Sequence, residues 1–253
     1  MILRRLLTRK PPGEVEAPPP PVPDRLAYAV GDLHGRADLL DAMLRAIDAD
    51  AAGAAHDIVF VGDYVDRGPD SAGVLARLQE LERAEAHVTC LIGNHDRMML
   101  DFTVAPLMET RWLMNGGDAT LASFGIAASR APDQAAALAG KLGVGHSDGL
   151  AAWLEARPLW WRSGTLIAVH ALTDTSLPME RQETETLLWA RPGPRLSPRA
   201  DGAWVVHGHT IVAEPEIRAG HVAIDTGAFR SGTLTAAVFA PGETIRFLQV
   251  AAG

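Results

Sequence analysis

Three short polar clusters decide the fold of this chain: GDLHG at residues 31–35, GDYVDRG at 62–68 and GNHD at 93–96. Their second residues, Asp32, Asp63 and Asn94, stand 31 positions apart each time. One unit of strand, helix and strand takes about 30 residues, so this equal spacing predicts that the clusters lie at the same edge of one sheet. We therefore expect their polar side chains to converge on one small volume.

An apolar run of strand length precedes each cluster: Leu26–Val30, Ile58–Val61 and Val88–Ile92. Runs without apolar–polar alternation are typical of parallel strands that are buried on both faces. Between them, apolar residues spaced by three and four predict one helix over about 39–47 and another over about 74–81. Open sheets of this kind bind ligands outside the carboxyl ends of their strands, which is where the clusters stand.

The rest of the chain predicts a helical segment and further strands. Residues 94–160 have a mostly helical pattern, and strand-like runs follow at 166–169, 204–206, 222–224, 234–239 and 244–250. Pro241-Gly242 predicts a hairpin between the last two runs. We expect an α/β fold with a two-sheet β-sandwich core flanked by helices, and residues 94–160 as a helical insertion over the active site.

The first residues differ in composition from the remainder. Residues 1–10 carry four basic side chains and no acidic ones, and residues 11–23 read PPGEVEAPPPPVP. Repeated prolines remove backbone donors and favour extended chain, so we expect a flexible tether over 1–23 and a single domain over 24–253.

The overall charge is −8, and without the basic start the remaining chain carries −12 (19 basic against 31 acidic residues). Such a surface repels nucleic acid polymers and anionic membranes, so we expect neither as a partner. The single cysteine and the lack of a secretory signal pattern predict a cytoplasmic location. Cys90 itself lies within an apolar run, which predicts a buried thiol.

The converging clusters need a positive charge. Crowded carboxylates raise one another's pKa unless a cation neutralises them, although single clusters of this kind also cap strands and turns. Two later histidines, His170 and His209, also follow strand-like runs. Carboxylate, amide and imidazole ligands suit Mn, Fe or Zn.

The order GDLHG, GDYVDRG, GNHD, VHA at 169–171 and HGHT at 207–210 resembles the calcineurin-like metallophosphoesterases. The resemblance is closest to the branch of bacterial phosphoprotein phosphatases and symmetrical diadenosine tetraphosphatases, and it covers about residues 26–240. It implies a four-layer fold and two divalent metal ions, with Mn favoured and Fe or Zn as alternatives. It also implies six ligands: Asp32 and His34 at the first metal, Asp63 bridging both metals, and Asn94, His170 and His209 at the second.

The resemblance also implies the roles of neighbouring residues. His95 would be the general acid, Asp66 would orient its imidazole, and Arg67 would hold the substrate phosphate together with Asn94. Hydrolysis would proceed by direct attack of a hydroxide that bridges the metals. The segment TETLLWARP at 184–192 resembles one that supplies an arginine to the active site, so Arg191 is a further candidate. Asn115 lines the cleft or makes a turn.

Two positions depart from the phosphatase pattern, which usually has Arg before GNH and Glu after it. Here they are Ile92 and Asp96, and Asp96 is expected to cap a helix or support a ligand. Ile92 favours a dinucleoside polyphosphate hydrolase, whereas Asp66, Arg67 and Arg191 favour a phosphatase.

The leading hypothesis is a serine/threonine-type protein phosphatase acting on phosphomonoesters of proteins. The alternative is a symmetrical hydrolase of diadenosine tetraphosphate, whose substrate is a small phosphate ester. A lesser alternative is a non-catalytic module that binds phosphate or metal. The pattern leaves the oligomeric state open.

Overall fold

The computed structural model describes residues 18–252 and contains two five-stranded sheets. The first consists of β1 (Leu26–Val30), β2 (His56–Phe60), β3 (Val88–Cys90), β9 (Thr233–Phe239) and β10 (Arg246–Ala251). Their order across the sheet is β10-β9-β1-β2-β3. β1, β2 and β3 are parallel, and β9 and β10 form the predicted hairpin.

The second sheet consists of β4 (Trp160–Ser163), β5 (Leu166–Val169), β6 (Trp204–His207), β7 (Glu216–Arg218) and β8 (His221–Ala223). Their order is β4-β5-β6-β8-β7, with β5, β6 and β8 parallel. The prediction of two sheets flanked by helices is therefore confirmed.

The helices are α1 (Ala37–Ala51), α2 (Ser71–Ala84), α3 (Asn94–Val104), α4 (Asp118–Ser123), α5 (Ala131–Leu142), α6 (Leu150–Glu155), α7 (Thr184–Trp189) and α8 (Ala228–Ser231). Four of them lie within residues 94–160, together with a π-helical turn at Leu113–Gly117, as the helical pattern predicts. A short 3₁₀ turn spans Met179–Arg181. Among the described residues, no helix has the length and apolarity needed to cross a membrane.

Burial on both faces explains why the strands lack alternation. Ala29 and Val59 face inward between the sheets, where they meet Val206 and Val222 of the second sheet. The opposite face of the first sheet, with Tyr28 and Phe60, packs against the apolar stripes of α1 and α2. Successive positions of β1 and of Ile58–Phe60 in β2 are therefore apolar, and the polar clusters follow where these strands end.

Part of the predicted tether contacts the second sheet. The amide of Val22 donates to Thr165 Oγ1 at 2.8 Å, and the amide of Thr165 donates back to the carbonyl of Val22 at 3.1 Å. Trp204 Nε1 donates to the carbonyl of Pro19 at 2.6 Å. A proline-rich stretch lacks some amide donors but keeps its carbonyl acceptors, which explains how residues 19–22 bind the second sheet. Residues 1–17 of the predicted tether lie outside the described residues.

Candidate active site

The loops after β1 and β2 are joined by backbone hydrogen bonds. The amides of Leu33 and His34 donate to the carbonyl of Asp63 at 3.1 and 2.9 Å, and the amide of Gly35 donates to Tyr64 O at 2.8 Å. Asp63 and His34 both have left-handed backbone conformations (φ 53° and 42°), which are costly for residues with a Cβ. The first two predicted clusters are thus held together at one sheet edge.

Asp96 attaches the third cluster to the second. Its carboxylate accepts hydrogen bonds from the backbone amides of Asp63, Tyr64 and Gly93, each at 2.9 Å. It lies in the first turn of α3, where an acidic side chain also interacts favourably with the helix dipole. The expected helix-capping role is confirmed, and the same carboxylate fixes the backbone that carries Asp63.

Asp63 lies between two groups of imidazoles. Its Oδ1 is 3.4 Å from His170 Nε2 and its Oδ2 is 3.6 Å from His34 Nε2. Candidate donor atoms of His34, Asp63 and His95 lie within 4.8 Å of one another, as do those of Asp63, His170 and His209. A carboxylate that faces two donor groups suits the bridging position that the sequence predicts for it.

Asn94 belongs to the second group. Its Oδ1 is 2.8 Å from His170 Nε2 and 2.9 Å from His209 Nδ1. Both His170 and Asn94 are buried, so the three donors meet in a water-poor environment. The amide oxygen therefore lies against two histidines that the resemblance gives as ligands of the same metal.

Backbone carbonyls orient two of these histidines. His34 Nδ1 lies 2.7 Å from Val65 O, and His170 Nδ1 lies 3.0 Å from Val61 O. A proton on Nδ1 leaves the Nε2 lone pair of each ring directed toward Asp63, which is the usual arrangement of a metal-binding histidine. Burial lowers the pKa of both rings, so both are neutral near pH 7.

The donor set fits divalent cations. In the described part of the chain, Nε2 of His209 is buried without a hydrogen-bond partner. Burial would raise the pKa of Asp63, yet the positive charge that the His170, His95 and His34 imidazoles carry in acid outweighs burial and lowers that pKa. A carboxylate that stays ionised beside neutral imidazoles is a ligand set for Mn, Fe or Zn.

Asp32 is placed differently from the other predicted ligands. It is absent from both groups of mutually close donors in the described residues, and its carboxylate accepts from the amide of His209 at 3.1 and 3.3 Å. Burial first, and then Asp225, raise its pKa well above the usual range. The buried carboxyl groups of Asp32 and Asp225 repel each other unless a proton or a cation lies between them. Asp32 is therefore also a suitable ligand for a cation.

Asp66 and His95 form a buried pair, with His95 Nδ1 2.6 Å from Asp66 Oδ2. Burial opposes a charge on His95, but the carboxylates of Asp63 and Asp66 outweigh it and raise the pKa of His95. Asp66 also accepts from Trp112 Nε1 at 2.9 Å and from Thr120 Oγ1 at 2.7 Å. Neither Trp112 nor Thr120 was a candidate in the sequence analysis.

Arg67 contacts the two rings of the first donor group. Its Nη1 is 3.1 Å from His34 Nε2 and its Nη2 is 3.0 Å from His95 Nε2. The guanidinium also lies 4.8 Å from the centre of the Phe229 ring. The backbone amide of Arg67 donates to the carbonyl of Gly116. Residue 116 must be glycine for this close approach, because a Cβ there would lie 2.7 Å from the amide nitrogen of Arg67.

A pocket of about 140 Å³ opens over these groups. It is lined by Asp63, Arg67, Asn94, His95, Met98, Arg111, Asn115, Trp189, Arg191 and His209. Arg191 and Asn115 thus line the cleft. The sequence predicted this position for Arg191 and gave it as one of two alternatives for Asn115. Arg111 was not a candidate in the sequence analysis, and it also lines the pocket.

Residues 27–213 match the family model described as calcineurin-like phosphoesterase. The chain is 44% identical over 95 residues to serine/threonine-protein phosphatase 1 of Salmonella typhimurium, which covers 37% of this chain and 40% of that protein. It is 32% identical over 149 residues to the symmetrical bis(5'-nucleosyl)-tetraphosphatase of Acidovorax sp., which covers 57% of this chain and 43% of that protein. The chain therefore spans less than half the length of these two curated relatives.

The fold is similar to that of a protein serine/threonine phosphatase from Saccharomyces cerevisiae, with a TM-score of 0.60 and 16% sequence identity. That match covers 94% of this chain and 85% of the yeast protein. At this identity the likeness concerns the fold alone. Since the family model matches most of the chain, and the five motifs lie within its bounds, the protein belongs to the calcineurin-like phosphoesterase family.

Proposed function

We propose that this protein is a dinuclear metal-dependent phosphohydrolase that acts on phosphomonoesters, and that its substrates are phosphoserine or phosphothreonine residues of proteins. The observation that carries the proposal is the arrangement of Arg67. Its guanidinium reaches His34, in the first donor group, and His95, in the buried pair with Asp66. A phosphate held by Arg67 would therefore lie against both the candidate metal ligands and the candidate acid.

The proposed metal ligands are Asp32, His34, Asp63, Asn94, His170 and His209. When bound, two divalent ions supply Lewis-acid neutralisation of phosphoryl charge and activate water near neutral pH. We favour Mn, with Fe or Zn as alternatives, because carboxylate, amide and imidazole donors suit all three ions.

His95 is the proposed proton donor for the leaving oxygen. Asp66 accepts from Nδ1 and holds the ring, while Nε2 faces the pocket beside Arg67. The carboxylates of Asp63 and Asp66 raise the pKa of His95, which favours the protonated ring that a general acid requires. Asp66 thus acts through His95 by orienting it and stabilising its charge.

Arg67 and Arg191 are the proposed phosphate-binding cations, with Asn94 beside them. Both arginines line the pocket, and a guanidinium can donate two parallel hydrogen bonds to a phosphate. They would offset the repulsion that a chain of net charge −8 exerts on an incoming phosphate.

Two features bear on the substrate class. Asp66 and Arg67 match the phosphatase form of the second motif, which supports protein substrates. Ile92 is fully buried, so position 92 supplies no cation to the pocket, and this supports diadenosine tetraphosphate as the second candidate substrate. The single buried cysteine supports a reducing compartment, and we propose the cytoplasm.

A side-by-side assay tests the proposal. Purified protein with Mn is given a phosphoserine peptide and, separately, diadenosine tetraphosphate, and the released phosphate and nucleotides are quantified. We expect hydrolysis of the peptide, and we expect Asp63→Asn to abolish it while the exposed-site control Asp48→Asn does not. Turnover of the dinucleotide alone would replace the proposed substrate class by the second candidate. No turnover of either substrate would contradict the proposed activity.

A further inference from the structure

Arg191 enters the pocket from a segment without regular secondary structure. α7 ends at Trp189, and no backbone amide from residue 191 to 199 donates to a backbone carbonyl in the described part of the chain. Pro192, Pro194 and Pro198 have no amide hydrogen to donate. Contacts from other elements must therefore determine where this segment lies.

The hairpin of β7 and β8 supplies such contacts. Arg218 Nη2 donates to the carbonyls of Gly193 and Pro194 at 3.1 and 3.2 Å, and His221 Nε2 lies 3.1 Å from Ser197 O. Arg218 and His221 are directly opposite each other in the antiparallel pair, so their side chains share one face. The carbonyls that Arg218 contacts belong to the second and third residues after Arg191.

The turn of this hairpin is tightly defined. Its two residues, Ala219 and Gly220, both have positive φ (49° and 75°), as a two-residue type I′ turn requires. Such a turn matches the twist of the strands and sets their register. The hairpin therefore holds Arg218 and His221 in fixed positions next to the segment.

Packing restrains the same segment only weakly. A Cβ built at Gly193 would meet no atom within 4 Å. A cavity of about 50 Å³ lies beside the segment, lined by Pro192 and Leu196 and by His207 and Val212 of the adjoining sheet and loop. Residues that line a cavity lack contact partners on one side. The hydrogen bonds from the Arg218 side chain therefore restrain the backbone after Arg191 more than packing does.

We propose that Arg218 is a positioning residue for Arg191, and that His221 assists it by holding Ser197. Arg218 does not itself line the active-site pocket among the described residues, so it acts on substrate through Arg191. The inference rests on the proposed function, because it takes Arg191 to bind the substrate phosphate.

The test compares Arg218→Ala, Arg191→Ala and the double variant with the wild-type protein in the presence of Mn. Arg218 is exposed, so its removal leaves the core intact. We expect Arg218→Ala to raise KM for a phosphoserine peptide by about threefold to tenfold, the range that the loss of one or two hydrogen bonds produces. The double variant should be no worse than Arg191→Ala, because the two changes act on the same contact. Independent, multiplicative effects would overturn the proposal.

A charge control separates positioning from long-range attraction. Arg45→Ala removes an exposed arginine from α1, which packs beside the first sheet, and should leave KM unchanged. The Arg218→Ala effect should also persist in about 1 M salt, where the Debye length falls to about 3 Å. If the rise in KM of Arg218→Ala disappears in salt, Arg218 acts by long-range attraction of the substrate and does not position Arg191.

A readout without turnover keeps this inference distinct from the proposed function. Cleavage by trypsin after the exposed Arg195, in the segment that Arg218 contacts, should be faster in Arg218→Ala than in the wild type or Arg45→Ala. The affinity for inorganic phosphate should fall by a similar factor to the rise in KM. If the wild type hydrolyses neither substrate, the proposed function fails, whereas the cleavage rate and the phosphate affinity still decide the role of Arg218. An unchanged cleavage rate, or faster cleavage with unchanged phosphate affinity, would overturn it.

Discussion

Trp112 Nε1 donates to both carboxylate oxygens of Asp66, at 2.9 and 3.0 Å, across 46 positions of sequence. The indole is fully buried and packs against Phe102 with ring centres 4.8 Å apart. Gly117 packs directly beneath it, where a Cβ would lie 2.6 Å from the ring. The carboxylate that orients His95 is therefore itself oriented by a residue of the helical segment, and the helices affect the chemistry as well as the shape of the cleft.

Replacing Trp112 by Phe should lower kcat for phosphopeptide hydrolysis by about fivefold to tenfold with little change in KM. The phenyl ring keeps the contact with Phe102 but removes the hydrogen bond to a charged acceptor, which is worth about 1.5–3 kcal/mol at most. Steady-state kinetics measure the split between kcat and KM.

Trp153→Phe is the matched control for this prediction. Trp153 is also buried, and its Nε1 donates to a carboxylate, that of Glu82, at 2.8 Å, away from the pocket. It should cost stability without changing kcat. Equal effects of the two variants on kcat would contradict a specific role for the Trp112–Asp66 bond.

Asp63→Asn should reduce the number of Mn ions bound per chain, which we expect to be two in the wild type. Asp63 faces both groups of imidazoles, so loss of its charge weakens both positions. Metal content after gel filtration and titration calorimetry with Mn measure the stoichiometry. Asp48→Asn, an exposed position on α1, should bind like the wild type. Retention of two ions by Asp63→Asn would exclude the bridging role.

Glu82→Ala should lower the free energy of unfolding by about 3 kcal/mol, because it removes the partner of several half-buried donors. Glu82 accepts from the amide of Cys90 at 2.9 Å and from Trp153, and it forms an ion pair with Arg157. Urea unfolding followed by tryptophan fluorescence measures the change. Glu80→Ala, on the exposed side of the same helix, should change stability by less than about 0.5 kcal/mol. A similar loss in both variants would disprove the importance of this network.

The ion pair of Asp50 and Arg246 should make stability depend on pH. Hydrogen bonds from Arg246 lower the pKa of Asp50 more than partial burial raises it. A carboxyl whose folded pKa lies below its unfolded value near 3.9 contributes stability above that value and loses it as pH falls through the folded pKa. Asp50→Asn should therefore be less stable than the wild type at pH 7, by under about 1 kcal/mol, since the pair is partly exposed.

The difference between Asp50→Asn and the wild type should shrink as the pH falls below about 4 and through the lowered pKa of the folded carboxyl, because the wild-type carboxyl becomes protonated. Urea unfolding at several pH values follows it. Asp48→Asn on the same helix should show no such trend. A difference that stays constant with pH would mean that geometry rather than charge stabilises this contact.

The repeated interval of 31 residues was sufficient to place Asp32, Asp63 and Asn94 at one sheet edge, because the length of a strand–helix–strand unit is set by local geometry. The apolar stripes of α1 and α2 were predictable for the same reason, and Leu39, Met43 and others along them are buried. The five motifs were also sufficient to predict the family to which the chain belongs.

The supports of the site could not be predicted from these patterns. Thr120 and Trp112 hydrogen-bond to Asp66 only because α4 and the π-helical turn pack against the second loop, and residue spacing along the chain does not reveal that contact. Arg111 lies at the pocket for a similar reason. Asp32 has its carboxylate beside Asp225 and the amide of His209, an orientation that depends on where β8 ends.

The amino-acid sequence alone determined the order of strands and helices around the cleft and the types of donor atom that reach it, since hydrophobic period and residue spacing act over short distances along the chain. Only the tertiary structure decided which side chains hold those donors in place. Trp112 reaches Asp66, and Arg218 reaches the segment behind Arg191, through packing between elements distant in sequence. Such contacts arise from the summed burial of whole helices and sheets, and no local pattern records them.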